Sequence, residues 1–262
     1  MEPIFKTEVT KIKNGNRFTT IDDVIREVKL ELFVNDEKIG ALMATPIDLK
    51  ELATGYLIGE NIIEKVKDID KIELFSEDDK IYKIYINAKV NKKNLEKLNT
   101  EGVIVSGCGK GLSTHISPKE IEAKVIRSDL NIKAKLLFEQ MAEFYKQCPL
   151  YEKTGCVHTA KLYFDEENYF IGEDIAQHNT IDKAIGKALL FDFNPEKGFL
   201  MVSGRLSSEM VAKAVMHQIP ILASRTASTC RGVNIADKFG LTLIGFVRGN
   251  SMNIYRNPKR II

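Results

Sequence analysis

Apolar and polar residues alternate from Val28 to Val34, with Val28, Leu30, Leu32 and Val34 on one side. That two-residue period predicts a half-buried strand. Asn35-Asp36-Glu37-Lys38 reads as a hairpin turn into a second strand, Ile39 to Ala44. Thr45-Pro46 then reads as an N-cap followed by proline in the first turn of a helix. Leu49, Leu52, Ala53, Tyr56 and Leu57 share one face of that helix, which extends towards Asn61. Strands at Lys71 to Phe75 and Ile81 to Ala88 flank a turn at Glu77-Asp78-Asp79. Asn91 to Thr100 fits a connector or a short helix. Leu112 to Asp129 shows no period and predicts a long, mobile surface excursion.

From Ile132 the pattern becomes regular. A helix runs to Cys148 with Leu136, Leu137, Met141 and Phe144 as its apolar stripe. Val157 to Phe164 and Tyr169 to Glu173 form a hairpin around Asp165-Glu166-Glu167-Asn168. Three helix–strand units follow: His178 to Phe191 with Phe199 to Ser203, Ser207 to His217 with Ile221 to Ser224, and Cys230 to Phe239 with Leu241 to Phe246. A short strand, Met252 to Tyr255, ends the pattern before Pro258. Alternating helices and very apolar strands require a sheet covered on both faces. The predicted class is α/β. A smaller N-terminal β-rich α+β domain with one helix occupies residues 1–99, a mobile loop region 100–130, and a three-layer α/β/α domain 131–262. The order helix, strand, strand, then repeated helix and strand resembles the cytidine deaminase superfamily in connectivity, which speaks to fold and not to chemistry.

Composition narrows the function classes. Over 262 residues, 38 Lys and Arg face 36 Asp and Glu, a net charge of +2 that provides no global field for nucleic acid. Met1 to Asn16 is polar and does not read as a signal peptide, and no apolar run reaches the length of a membrane span. A cytoplasmic protein without membrane or nucleic-acid partners is expected. Four cysteines, Cys108, Cys148, Cys156 and Cys230, are too scattered for a disulfide framework.

Cys108 stands between Gly107 and Gly109 with Lys110 beyond. Flanking glycines leave the sulfur uncrowded, and an ammonium favours the thiolate that attacks sulfane sulfur. Cys156 and His158 raise the question of zinc, but a deaminase needs H-x-E and P-C-x-x-C. His158 is followed by Thr159-Ala160 and no Cys-x-x-Cys exists, so neither a structural zinc nor deaminase catalysis is expected. Cys148 and Cys230 are expected to be packed. Four polar segments leave strand ends: Gly172 to Asn179, followed by Asp182 and Lys183; Ser203 to Glu209; Ser224 to Thr229; and Gly245 to Ser251. A sheet sets such turns side by side, where serines at helix starts and arginines suit a large phosphorylated ligand.

Several ordered stretches together resemble the formate dehydrogenase accessory family of FdhD sulfur carriers. They are Glu51-Leu52-Ala53-Thr54-Gly55-Tyr56-Leu57-Ile58-Gly59-Glu60, Ser106-Gly107-Cys108-Gly109-Lys110, Thr154-Gly155-Cys156-Val157-His158-Thr159-Ala160, the run from Gly172 to Lys183, Ser203 to Met210, Leu241 to Phe246, and Asn253 to Ile261. The resemblance implies a homodimeric maturation factor that takes persulfide sulfur from a cysteine desulfurase on Cys108. It would pass that sulfur to the molybdenum (or tungsten) bis-guanine-dinucleotide pterin cofactor of formate dehydrogenase, with a guanine nucleotide as partial mimic. It further implies ligand contacts from Phe246, Val247, Arg248, Gly249, Asn250 and Ser251, with His178, Asp182, Arg205 and Ser207 as neighbours. The family's C-G-x-C-G-K loop has two cysteines, and only the second has a counterpart here. The alternative is therefore a non-catalytic chaperone that binds and delivers the cofactor without carrying sulfur.

Overall fold

The computed structural model describes residues 1–100 and 121–262. It opens with a hairpin absent from the sequence reading. Strands β1 (Ile4–Lys13) and β2 (Asn16–Ile25) pair antiparallel around Asn14-Gly15, whose φ angles of 53° and 80° suit a tight two-residue turn. Its apolar residues fall on both faces and many stay exposed, among them Phe5, Ile12, Phe18 and Ile21, so no one-sided alternation marks it.

Strands β3 (Val28–Val34), β4 (Glu37–Ala44), β5 (Ile69–Ser76) and β6 (Ile81–Ala88) form a sheet in the order β4-β3-β6-β5, with β3 and β6 parallel. Helix α1 (Leu49–Gly59) covers it, burying Leu52 and Leu57 against Leu30, Leu32, Ile84 and Ile86. The helix begins later than expected. Asp48, in the left-handed region, stands at its N-cap, and Thr45 is engaged elsewhere. The lysine-rich stretch is a helix, α2 (Lys92–Thr100).

The second unit starts with α3 (Ala134–Phe144) and α4 (Pro149–Thr154). The single helix expected to reach Cys148 breaks there because a residue preceding proline is driven out of the helical region, and Cys148 sits at φ −112°, ψ 85°. The remaining elements are β7 (His158–Tyr163), β8 (Tyr169–Asp174), α5 (Gln177–Leu190), β9 (Phe199–Val202), α6 (Ser208–Met216), β10 (Ile221–Ser224), α7 (Cys230–Phe239), β11 (Thr242–Arg248) and β12 (Ser251–Arg256). They form one mixed sheet, β12-β11-β10-β9-β7-β8. Strands β9, β10 and β11 are parallel and β7 opposes both β9 and β8. The carboxyl ends of β8 to β11 and the amino end of β7 therefore share one edge. Residues of α5, α6 and α7, including Ile181, Val211 and Phe239, bury one face, and Leu137, Met141 and Phe144 of α3 the other.

The mobile excursion expected over Leu112–Asp129 lies partly outside the described residues, and its described end is tied down. Ile121 and Ile126 are buried in the α5–α7 core, and the Ile126 N–H donates to the Phe239 carbonyl at 2.8 Å. The spacing of Ile121 and Ile126, five positions apart, fits neither a helical nor a strand period.

The two units meet where α1 crosses α5 with backbones in contact. A β-carbon added to Gly55 would lie 2.0 Å from the Asp182 carbonyl oxygen, and one added to Gly186 would lie 1.9 Å from that of Glu51. On an exposed helix Gly→Ala gains about 1 kcal/mol through propensity. Gly186→Ala is expected instead to lose about 2 kcal/mol through overpacking. Denaturant unfolding checks the sign, and a gain would contradict the crossing.

Candidate functional site

The shared strand edge opens into a cavity of about 830 Å³, within the range of small-ligand sites. Ile175, Ala176, Gln177 and His178 reach it from the β8–α5 turn, Arg205, Ser207 and Glu209 from the start of α6, and Thr229 from the start of α7. Cys156 enters from the α4–β7 connection and His158 from the start of β7, and the N-terminal unit contributes Glu27 and Met43.

Buried charge fixes the β8–α5 wall. Lys183 Nζ lies 2.6 Å from Asp174 Oδ2 and donates to the carbonyls of Thr45 and Glu173, each at 3.1 Å. Asp174 accepts in addition from the backbone N–H groups of Thr45 (3.1 Å) and Ala176 (2.9 Å) and from Asn179 Nδ2 (3.0 Å). Asn179 also donates to the Met43 carbonyl at 2.9 Å. Every charge in this group is paired, which is what makes its burial tolerable.

The α6 wall is set by ordinary capping. Ser207 accepts from Met210 N, and Thr229 accepts from Gly232 N at the start of α7. The Ser224 and Thr226 hydroxyls, expected to face a ligand, each donate to the Gly204 carbonyl at 2.7 Å, and Ser228 donates to that of Leu206. These hydroxyls lace one loop to the next. What remains open to a ligand is the exposed Arg205 guanidinium, which has no acceptor among the described residues. Two helix N-termini lie beside it.

Two histidines sit close together in the cavity. His178 Nε2 approaches Glu209 Oε2 at 2.7 Å, out of line for a directed hydrogen bond. His158 Nδ1 lies 3.3 Å from Ser203 Oγ. Desolvation pushes the His158 pKa below its ordinary value, with repulsion from His178 and Arg205 adding to it and Asp174 opposing. The shift favours the neutral imidazole.

The expected ligand residues divide. His178, Arg205 and Ser207 line the cavity. Asp182 does not: it is buried with both carboxylate oxygens on Lys213 Nζ, at 2.9 and 2.8 Å. Burial lowers the Lys213 pKa, but Asp182 and Glu60 more than offset this and keep the ammonium charged. Phe246, Val247 and Arg248 end β11, Gly249 and Asn250 make the turn and Ser251 opens β12, beside the Ser224–Thr229 loop and outside the cavity lining. There Phe246, at φ 53°, is 40% exposed, Val247 is buried, and Arg248 donates to the Arg225 carbonyl. Cys108 lies outside the described residues.

The other cysteines part from expectation in one case. Cys148 is buried, donates to the Phe144 carbonyl at 3.1 Å, and is pushed up to about 12, first by burial and then by Glu173. Cys230, expected to be packed, is exposed at the first turn of α7, and Cys156 is exposed in the cavity. Among the described residues no group of three or more His, Cys, Asp or Glu could hold a metal ion, and no helix is long and apolar enough to cross a membrane. Sequence reasoning missed Glu27 and Met43, whose place depends wholly on how the units meet. It quoted Cys156 and His158 for zinc and within one stretch of the family resemblance, with no role in a cavity.

Fold and site define a two-unit protein, a β-rich N-terminal part and a mixed α/β C-terminal part, with a polar cavity at the strand ends. Residues 25–262 match the FdhD/NarQ family. The chain is 39% identical over 240 residues to the sulfur carrier protein FdhD of Wolinella succinogenes, covering 92% of this chain and 82% of that one. It is 33% identical over 261 residues to the sulfur carrier protein FdhD of Sulfolobus acidocaldarius, covering 98% of each. A crystal structure of a proposed formate dehydrogenase accessory protein from Desulfotalea psychrophila matches with a TM-score of 0.80 and 26% identity, over 100% of both chains. The chain belongs to the FdhD/NarQ family.

Breaking the buried pair separates fold from site. Asp182→Asn leaves Lys213 facing Glu60 alone at 3.9 Å and is expected to cost about 3–5 kcal/mol. Unfolding at pH 7 measures it, and a stable variant with altered ligand binding would return Asp182 to the site.

Proposed function

We propose that this chain is a sulfur carrier for formate dehydrogenase, accepting persulfide sulfur from a cysteine desulfurase on Cys108. Its sulfur goes to the guanine-dinucleotide pterin cofactor, held as a substrate at the strand-end cavity. The observation that carries this reading is the cavity itself, seen together with family membership. The Arg205 guanidinium, without an acceptor among the described residues, and the N-termini of α6 and α7 converge there, the donor set that suits phosphate oxygens. Its volume suits one nucleotide portion of the cofactor. The turn from Phe246 to Ser251 lies near enough along the edge to meet a ligand that extends beyond the cavity. The sheet order, with β7 antiparallel to its neighbours, supports a deaminase-like scaffold, and the missing H-x-E pattern supports its use for binding.

In the transfer step, the Cys108 thiolate attacks the outer sulfur of the donor persulfide. The S–S bond to the donor breaks, a new one forms on Cys108, and the donor leaves as thiolate, with no net oxidation. One thiol suffices for this exchange.

Formate dehydrogenase activation in cells carrying Cys108→Ser tests the reading. Loss of activation by about tenfold or more is expected from removal of the only nucleophile assigned to the step. Full activation would reject sulfur carriage on Cys108 and leave the chaperone alternative.

A further inference from the structure

We infer that Cys156, with His158 as its base and Arg205 beside them, is a second sulfur-accepting site within the cavity. The inference rests on the sulfur-carrier reading and adds a second acceptor to it. Three observations converge. Cys156 is an exposed free thiol that lines an 830 Å³ cavity, whereas Cys148 is buried in the core. Its backbone is held in place: the left-handed Gly155 turns the chain out of α4, and the Cys156 N–H donates to Thr154 Oγ1 at 3.2 Å. His158 lines the same cavity two residues further, and Ser203 anchors its Nδ1. In the tautomer whose Nδ1 donates to that hydroxyl, Nε2 keeps a lone pair that can accept a proton. The neutral imidazole, which desolvation favours here, is the form that takes a proton from a thiol.

The step balances. His158 removes the thiol proton, and the Cys156 thiolate attacks the outer sulfur of a persulfide. The S–S bond to the donor breaks, Cys156 gains one sulfur atom, and the departing thiolate recovers the proton from His158. The Arg205 guanidinium offers its charge to the anionic sulfur during the exchange.

The test treats the full chain with glutathione persulfide, traps thiols by alkylation, and maps persulfides by peptide mass spectrometry. Cys156 should load about tenfold faster than exposed Cys230, which lies outside the cavity lining. His158→Gln should slow Cys156 by a similar factor while leaving Cys230 and the unfolding midpoint unchanged. Equal loading of Cys156 and Cys230, or loading indifferent to His158→Gln, would overturn the inference. Cys108→Ser keeps the two proposals apart. Loading of Cys156 in that variant supports this site whatever happens to formate dehydrogenase activation. A bare Cys156 in a protein whose Cys108 is required for activation sinks this site and leaves the carrier standing.

Discussion

The structure turns on a buried ammonium, that of Lys183, held between Asp174 and the carbonyl of Thr45. Removing two charges from water costs several kcal/mol each, and only complete pairing offsets it. Here Asp174 receives Lys183, Asn179 and two backbone N–H groups, and Lys183 gives all three of its protons. Thr45, at the end of β4, supplies one N–H and one carbonyl, and the other partners lie in β8, α5 and the turn between them. The N-terminal unit therefore cannot shift against the C-terminal sheet without stranding a charge. Such a network contributes specificity of arrangement more than net stability.

That arrangement makes the cavity. The glycine crossing of α1 on α5 draws the two backbones together, and the Asp174 network sets the angle at which β4 meets the strand edge. Met43 and Glu27 then stand opposite Arg205 and the two helix starts. The Asp182–Lys213 pair, beneath the same crossing, extends the seam toward Glu60.

Much of this was legible in the sequence. The strand Val28–Val34, the strand Ile81–Ala88 and the helix Cys230–Phe239 carry their periods plainly, and the structure places them at those bounds. The gathering of polar turns at one edge followed from the order of the strands. What a sequence does not display is whether a polar side chain is already satisfied. Asp182, Ser224, Thr226 and Ser228 looked like ligand groups because they lie near strand ends, yet each is occupied by Lys213 or a loop carbonyl. Thr45 looked like a cap for the same reason. The opposite error befell Cys230, which sits at a helix start where periodicity says little about exposure. The hairpin Ile4–Ile25 escaped notice because its apolar residues serve no single face.

Two chemically distinct zones share the edge. Arg205 and the capped starts of α6 and α7 provide the positive pole, and Cys156 and His158 the nucleophile and base. The account stands or falls on whether a phosphorylated ligand enters between them. Titration of the whole chain with guanosine diphosphate, followed by amide hydrogen exchange, tests this most directly. Slowed exchange across Ile175–His178, Arg205–Glu209 and Thr229 is the predicted result. Saturable binding that leaves those amides unchanged, or no binding at all, would contradict it.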